Sequence, residues 1–266
     1  MSNAEKRRAR KESQDSGAAI LHLNRIKPAT NAIFNVLFVI LSFICIFPVF
    51  YVIMISVSSE ESIRLNGYAL WPETFSSSAY MFLWNERGTI FQALLVSIAV
   101  TVIGTVLGVL LTTSMGYVLS RPQYRLRGFF NWVVFIPMIF NGGMVANYVV
   151  MVNMLHLNDT IWSLILPLAV SSFNVIICKT FFRTTIPDSI IESAKIDGAT
   201  QLTIFGRIVI PISKPVFATI GLFLTFGYWN DWFQSSLYIN RSDLVSRQAL
   251  LNNMMDNLDY IANSPS

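Results

Sequence analysis

The run GTIFQALLVSIAVTVIGTVLGVLLTTSMGYVLS, Gly88–Ser120, contains no charged side chain. A bilayer core about 30 Å thick is crossed by about 20 apolar residues in a helix, so this stretch alone reads as a membrane span. Gly104, Gly108, Thr112 and Gly116 recur within it every four residues, forming a small-residue ridge on one helix face that lets another helix approach closely. That partner is either another span of this chain or a second protein. Either way, the ridge reads as packing before it reads as a pore lining.

Working outward, four further uncharged runs appear: Pro28–Ser59, Gly128–Asn158, Thr160–Cys178 and Pro215–Asn230. The last is short and must borrow Ile208–Ser213 or run past Asp231 to cross. The whole chain of 266 residues is 53% hydrophobic and 13% charged, outside the range of soluble domains. The reading is an all-α integral membrane protein with a basic tail over residues 1–30 and a transmembrane domain over 31–266. Its spans are expected at about 32–57, 90–119, 129–152, 160–181 and 208–235. Pro48, Pro137 and Pro167 each free a carbonyl inside a span, which predicts kinks.

Orientation follows from Lys and Arg, which stay on the cytoplasmic side. With the amino terminus inside, fifteen of the nineteen basic residues fall inside, and only Arg64, Arg87, Arg241 and Arg247 fall outside. The net charge of +4 therefore reflects topology, and nucleic-acid binding is not needed to explain it. The tail is also suited to lie on anionic lipid. Arg7-Arg8 resembles an export signal, but the run that follows is full-length and lacks a small-residue cleavage site, so it reads as a retained span of a multi-pass plasma-membrane protein. Cys45 and Cys178 read as small buried hydrophobes, not as a disulfide.

Catalytic motifs are missing. No phosphate loop, dinucleotide fingerprint, H-E-x-x-H or C-x-x-C occurs, and His22 and His156 are the only histidines. No catalytic residue, metal site or cofactor is expected in this chain. If transport is active, its energy comes from an ion gradient or from a nucleotide hydrolysed on another protein.

One charged insertion interrupts the apolar pattern on the inner side. In ESAKIDGATQLTIFGRIVIP, Glu192–Pro211, a helix is expected to start near Pro187 under a Ser189/Glu192 capping box and to stop at Gly198. A second helix then leads into the fifth span. Ile190, Ile191, Ala194 and Ile196 offer this hairpin an apolar surface suited to a groove in a partner, or to the lipid surface.

Here the chain resembles the permease subunits of bacterial ABC importers, whose cytoplasmic loop carries E-A-A-x3-G-x9-I-x-L-P. Glu192-Ser193-Ala194, Gly198, Ile208 and Ile210-Pro211 match it position by position, with Ser193 and Ile210 as the two departures. The resemblance implies that residues 187–206 form a coupling helix, with Glu192, Ser193, Ala194, Asp197 and Gly198 docking on a separate ATPase that holds ATP and magnesium. The stretches at 67–80, 140–150, 171–199 and 227–240 are similar to carbohydrate-uptake permeases, closest to the maltose-permease-like group that imports oligosaccharides. The likeness covers about residues 31–250. It implies a type I importer permease fold with a sixth span, a second homologous permease, a cytoplasmic ATPase dimer and an extracytoplasmic sugar-binding protein.

Tyr228, Trp229, Asn230, Asp231 and Trp232 combine rings that stack on pyranose C–H faces with amide and carboxylate partners for hydroxyls. They are candidates for the sugar path, as are Asn141, Asn147 and Tyr148. An interfacial aromatic belt and a helix break at Gly142-Gly143 are the competing readings. Permeation of another small solute, an ion-driven secondary transporter and a non-transporting scaffold remain as alternative functions. The second predicts self-similar halves, which the chain lacks.

Overall fold

The computed structural model describes residues 27–263, which form helices joined by short turns. Residues 1–26, most of the basic tail, lie outside the described residues. Two compact units divide the chain after Asn85.

The first unit is led by α1, Pro28–Ser56, which opens with proline in its first turn, where the missing N–H costs nothing. None of its residues is buried within this unit. Cys45 is accordingly exposed, a correction to its expected burial. Beyond it, Ser59 caps α2 (Glu60–Asn66) by accepting from Ser62 N–H at 3.2 Å, with Glu60 and Glu61 favourably placed in the first turn. A short strap pairs Ser59 N–H with Thr74 O and Ser76 N–H with Val57 O before α3, Ser78–Asn85.

The second unit is built around α4, Arg87–Ser120. Its 34 residues make a rod about 51 Å long at 1.5 Å per residue, well beyond the apolar thickness of a bilayer. Around it pack α7 (Ile161–Ala169), α8 (Ser172–Thr185) and α11 (Lys214–Asn230). The small-residue ridge is what allows this. A Cβ at Gly104 would fall 2.5 Å from the Tyr228 ring, one at Gly108 would fall 2.7 Å from the Ala169 carbonyl oxygen, and one at Gly116 would overlap the Cys178 Cβ. Thr112 is fully buried between them. The ridge is thus consumed by spans of this chain. Ile165, Phe182, Ile204, Val209 and Ile220 complete the core beside it.

Of the five expected spans, α1 and α4 are single helices long and apolar enough to cross. Residues 129–152 are divided between α5 (Arg127–Ile139) and α6 (Gly143–Met154), because Gly143 takes φ +80 and its N–H bonds back to Asn141 Oδ1. The 160–181 stretch is α7 and α8, bent by 48°. The borrowing of Ile208–Ser213 by the fifth span does not occur as a straight extension: those residues end α10 (Gln201–Ile212), which meets α11 at 84°. Ser213, at φ −102 and ψ 16, leaves the helical region, and Pro215 has no N–H to continue the ladder. Short α12 (Phe233–Tyr238) packs on α7, and α13 (Arg247–Asn263) packs on α4.

Candidate functional site

The matched pattern folds as a hairpin of α9, Asp188–Ile196, and α10. The expected capping box does not form: Pro187 holds the capping position without a side-chain bond, and Ser193 Oγ instead donates to Ser189 O at 2.9 Å. The stop at Gly198 stands as expected, with φ +80 and its N–H on Lys195 O, while Ala199 N–H reaches Ala194 O at 2.9 Å. Thr200 then caps the return helix by accepting from Thr203 N–H.

Helical spacing sorts α9 into two faces, and here the expected apolar surface needs correction. Ile191 and Ala194 point inward, 1% and 8% exposed, and join the core with Phe182, Ile186, Ile204 and Val209. The small size of Ala194 serves this internal packing. What remains outside is Ser189, Ile190, Glu192, Ser193 and Asp197, with Ile196 and Leu202 exposed at 86% and 84% on either side of the Gly198 turn. Those two side chains give the tip an apolar surface left uncovered among the described residues.

The hairpin is anchored by a residue that had been counted only as one inner charge. Arg121, directly after α4 and itself buried, donates through Nη2 to Phe182 O at 2.7 Å and through Nη1 to Ile186 O at 3.3 Å and Asp188 Oδ1 at 2.9 Å. Its Nε donates to Ser120 Oγ, and its guanidinium lies 5.3 Å from the Tyr117 ring centroid. One side chain therefore joins the end of α4, the end of α8 and the start of α9. Gln123 adds a lighter tie, donating to Glu192 Oε1 and accepting from Lys195 Nζ, both at 3.3 Å. Between these elements lies a cavity of about 530 Å³ that Tyr117, Tyr124, Ile191, Leu202 and Phe205 help to line. The sequence signal was available: an Arg closing an uncharged run of 33 residues, with Asp188 at the first turn of the next charged helix.

The aromatic cluster is split by the fold. Tyr228 is 4% exposed, its ring on Gly104 and its hydroxyl donating to Ile165 O at 2.8 Å, so it is engaged within the bundle. Trp229 is half-buried, with the Arg247 guanidinium 4.7 Å over its ring. Asn230 is exposed and bonded to Phe226 O; Asp231 accepts from Gln234 N–H at the start of α12; Trp232 is 43% exposed against Phe233. Asn141 closes the turn before α6, Asn147 is exposed, and Tyr148 stacks on Tyr238 with centroids 6.1 Å apart. The structure gives Tyr148 a ring partner at Tyr238, which the sequence reading missed.

A connector near this end also escaped notice. Asp159, at φ 54, accepts from the N–H groups of Asn240 and Arg241 at 2.6 and 3.0 Å, tying the turn before α7 to the irregular segment after α12. Those two bonds hold its carboxyl below the usual carboxylate range. No group of three or more His, Cys, Asp or Glu that could hold a metal occurs among the described residues.

A family model described as "Binding-protein-dependent transport system inner membrane component" matches residues 104–258, which include the core bundle and the hairpin. Two relatives come from Bacillus subtilis (strain 168). The polygalacturonan/rhamnogalacturonan transport system permease protein YtcP is 43% identical over 208 residues, 78% of this chain and 72% of that one. Protein LplC is 41% identical over 199 residues, 75% of this chain and 66% of that one. Among solved structures, a bacterial ABC transporter involved in the import of the acidic polysaccharide alginate matches with TM-score 0.77 and 26% identity, over 91% of this chain and 90% of that one.

Proposed function

Because the chain belongs to the family of binding-protein-dependent transport system inner membrane components, and is a transport permease subunit and not an enzyme, we propose that it forms half of the path of an ATP-driven oligosaccharide importer. A second homologous permease forms the other half. A cytoplasmic ATPase dimer, carrying ATP and magnesium, drives the pair, and an extracytoplasmic sugar-binding protein delivers the substrate. The amino terminus and the α9–α10 hairpin face the cytoplasm, in keeping with the distribution of Lys and Arg.

The observation that carries this reading is the hairpin tip. Ile196 and Leu202 stand uncovered beside a glycine turn, on elements fastened by Arg121 to the long helix α4. An apolar tip on a rigid base suits a groove in a moving partner, and the outward Glu192, Ser193, Asp197 and Gly198 frame it. Ala194 contributes from inside by holding α9 against the core. The oligosaccharide assignment is supported by the names of the relatives and by the rings and amides at Trp229, Asn230, Asp231 and Trp232, with Asn141, Asn147 and Tyr148 as a second candidate group. Tyr228 supports that end from behind.

The test is uptake by the complete complex in vesicles, with ATPase activity followed as the loaded binding protein is added. Stimulation by oligosaccharide of the wild type, lost on Ile196→Glu and Leu202→Glu while assembly of the two permeases persists, is the expected result. Wild-type stimulation in both variants would overturn the coupling role. Trp229→Ala and Asp231→Asn should lower uptake relative to Phe223→Ala, an exposed ring on the same helix as Trp229, at equal abundance; equal uptake would place the sugar path elsewhere.

A further inference from the structure

Close to the hairpin, α5 and α8 pack together and are joined where Lys179 Nζ donates to Asn131 Oδ1 at 2.8 Å. Arg127 sits one turn before Asn131 on α5, and Arg183 one turn after Lys179 on α8, so each shares a helix face with its neighbour. Both guanidiniums lie within Coulombic range of the Lys179 ammonium. Neither helix contains an Asp or a Glu. The ion pairs Arg121–Asp188 and Arg241–Asp243 involve none of these three cations. Arg127 Nε is moreover buried without an acceptor, and α5 opens without a side-chain cap at Leu126. Three cations, a stranded N–H and an uncapped helix start converge here with no carboxylate paired to them among the described residues.

An apolar recess of about 340 Å³ adjoins the cluster, lined by Leu119, Asn131, Trp132, Phe135, Ile176 and Lys179. From it an uncovered strip runs along α5, with Phe129, Trp132 and Ile136 exposed at 64%, 63% and 48%. A free anion would satisfy the cations and leave the strip bare; an apolar segment would do the reverse. A molecule with an anionic head and a hydrocarbon tail satisfies both. We propose that this recess binds an anionic phospholipid, its phosphate held by Arg127, Lys179 and Arg183 and one acyl chain lying along Trp132 and Ile136. Lys179 supplies a point charge and the two Arg residues supply charge-assisted hydrogen bonds, the Arg127 Nε among them. The site requires only that this bundle sits in a membrane and is independent of which solute is carried.

The experiment is native mass spectrometry of the purified complex titrated with phosphatidylglycerol or phosphatidylcholine. Wild type should retain phosphatidylglycerol selectively. At about fivefold for each cation near an anionic surface, Arg127→Gln with Arg183→Gln should weaken that retention roughly thirtyfold. The single exposed change Arg183→Gln, which leaves the packing of α5 untouched, should weaken it about fivefold. Arg207→Gln, at an exposed position of α10, should leave it unchanged. Equal retention of the two lipids, or undiminished phosphatidylglycerol in the double variant, would overturn the proposal. So would displacement by soluble glycerol phosphate at the concentration of the lipid, which would mark a plain anion site. Loss of the second permease from the double variant with lipid retention unchanged would overturn it in favour of a protein contact.

Discussion

Replacing Arg121 by Met keeps most of the side-chain volume, removes the guanidinium ties between the end of α4 and the hairpin, and leaves the lighter Gln123 contacts to Glu192 and Lys195. The guanidinium makes bonds to Ser120 Oγ, Phe182 O, Ile186 O and Asp188, and lies over Tyr117. A hydrogen bond from a charged donor is worth about 1.5–3 kcal/mol, and two are lost, to the Phe182 and Ile186 carbonyls. The total is held to about 3 kcal/mol because Phe182 O still accepts from Ile186 N–H at 3.2 Å. The Asp188 side chain is 48% exposed, so the ion pair itself contributes under about 1 kcal/mol and the carbonyl bonds carry most of the effect. A loss of about 3 kcal/mol corresponds to roughly 100-fold more frequent opening of α9. Hydrogen exchange on the complete complex reads this directly: amides of α9 should exchange roughly 100-fold faster in Arg121→Met and less than about fivefold faster in Asp188→Asn, while α11 is unchanged. Equal effects of the two substitutions would refute the assignment of the anchor to the carbonyls. Unchanged exchange in Arg121→Met would refute the anchor itself.

The ridge on α4 makes a paired prediction: Gly108→Ala should destabilise the bundle by about 1–3 kcal/mol, since the backbone oxygen of Ala169 cannot swing aside, whereas Gly227→Ala, with open space around its Cβ, should be neutral or stabilising by up to about 1 kcal/mol; thermal unfolding in detergent separates them. Gly198→Val should cost about 1–2 kcal/mol for a left-handed β-branched residue and lower sugar-stimulated ATPase activity, with Gly198→Asn milder in both readings. Asp159 gives a pH prediction. Its folded value lies below the unfolded one, so its contribution is complete above the unfolded value near 3.9 and is lost as pH falls through the folded one. Protection of the Asn240 and Arg241 amides, corrected for intrinsic exchange, should therefore hold at neutral pH and fade in acid below about pH 4, and Asp159→Asn should abolish that dependence.

Hydropathy was enough to read the membrane bundle, because a run such as Gly88–Ser120 has no soluble explanation and its four-residue ridge is a packing signature. Breaks were less legible. Residues 129–152 and 208–235 are apolar throughout their middles, and hydropathy does not register a φ of +80 at Gly143 or the departure of Ser213 from the helix. Gly142-Gly143 and the Pro211, Pro215 pair were the available marks. At the hairpin, the motif located the turn and its glycine but not the direction of its faces: Ala194 is small because the neighbour is this chain's own core. Tyr228 shows the same limit, since an aromatic beside polar residues reads alike whether it meets a sugar or, as here, a glycine and a carbonyl across the bundle. Arg121 was read only as a charge because two of its acceptors, the Phe182 and Ile186 oxygens, belong to the main chain, which no side-chain pattern records.

The right-angled junction at Ser213 makes α10 a crank. It is about 18 Å long at 1.5 Å per residue and projects almost perpendicular to α11. Rolling α11 by about 10° about its own axis sweeps the far end of the arm, at Gln201, through about 3 Å, a distance set by the arm length alone. Run backwards, a push of that size at the tip becomes rotation of α11, whose Tyr228 ring is seated on Gly104. A straight extension of the span would have transmitted only an axial shove; the elbow gears a small displacement at the hairpin into torque along the bundle.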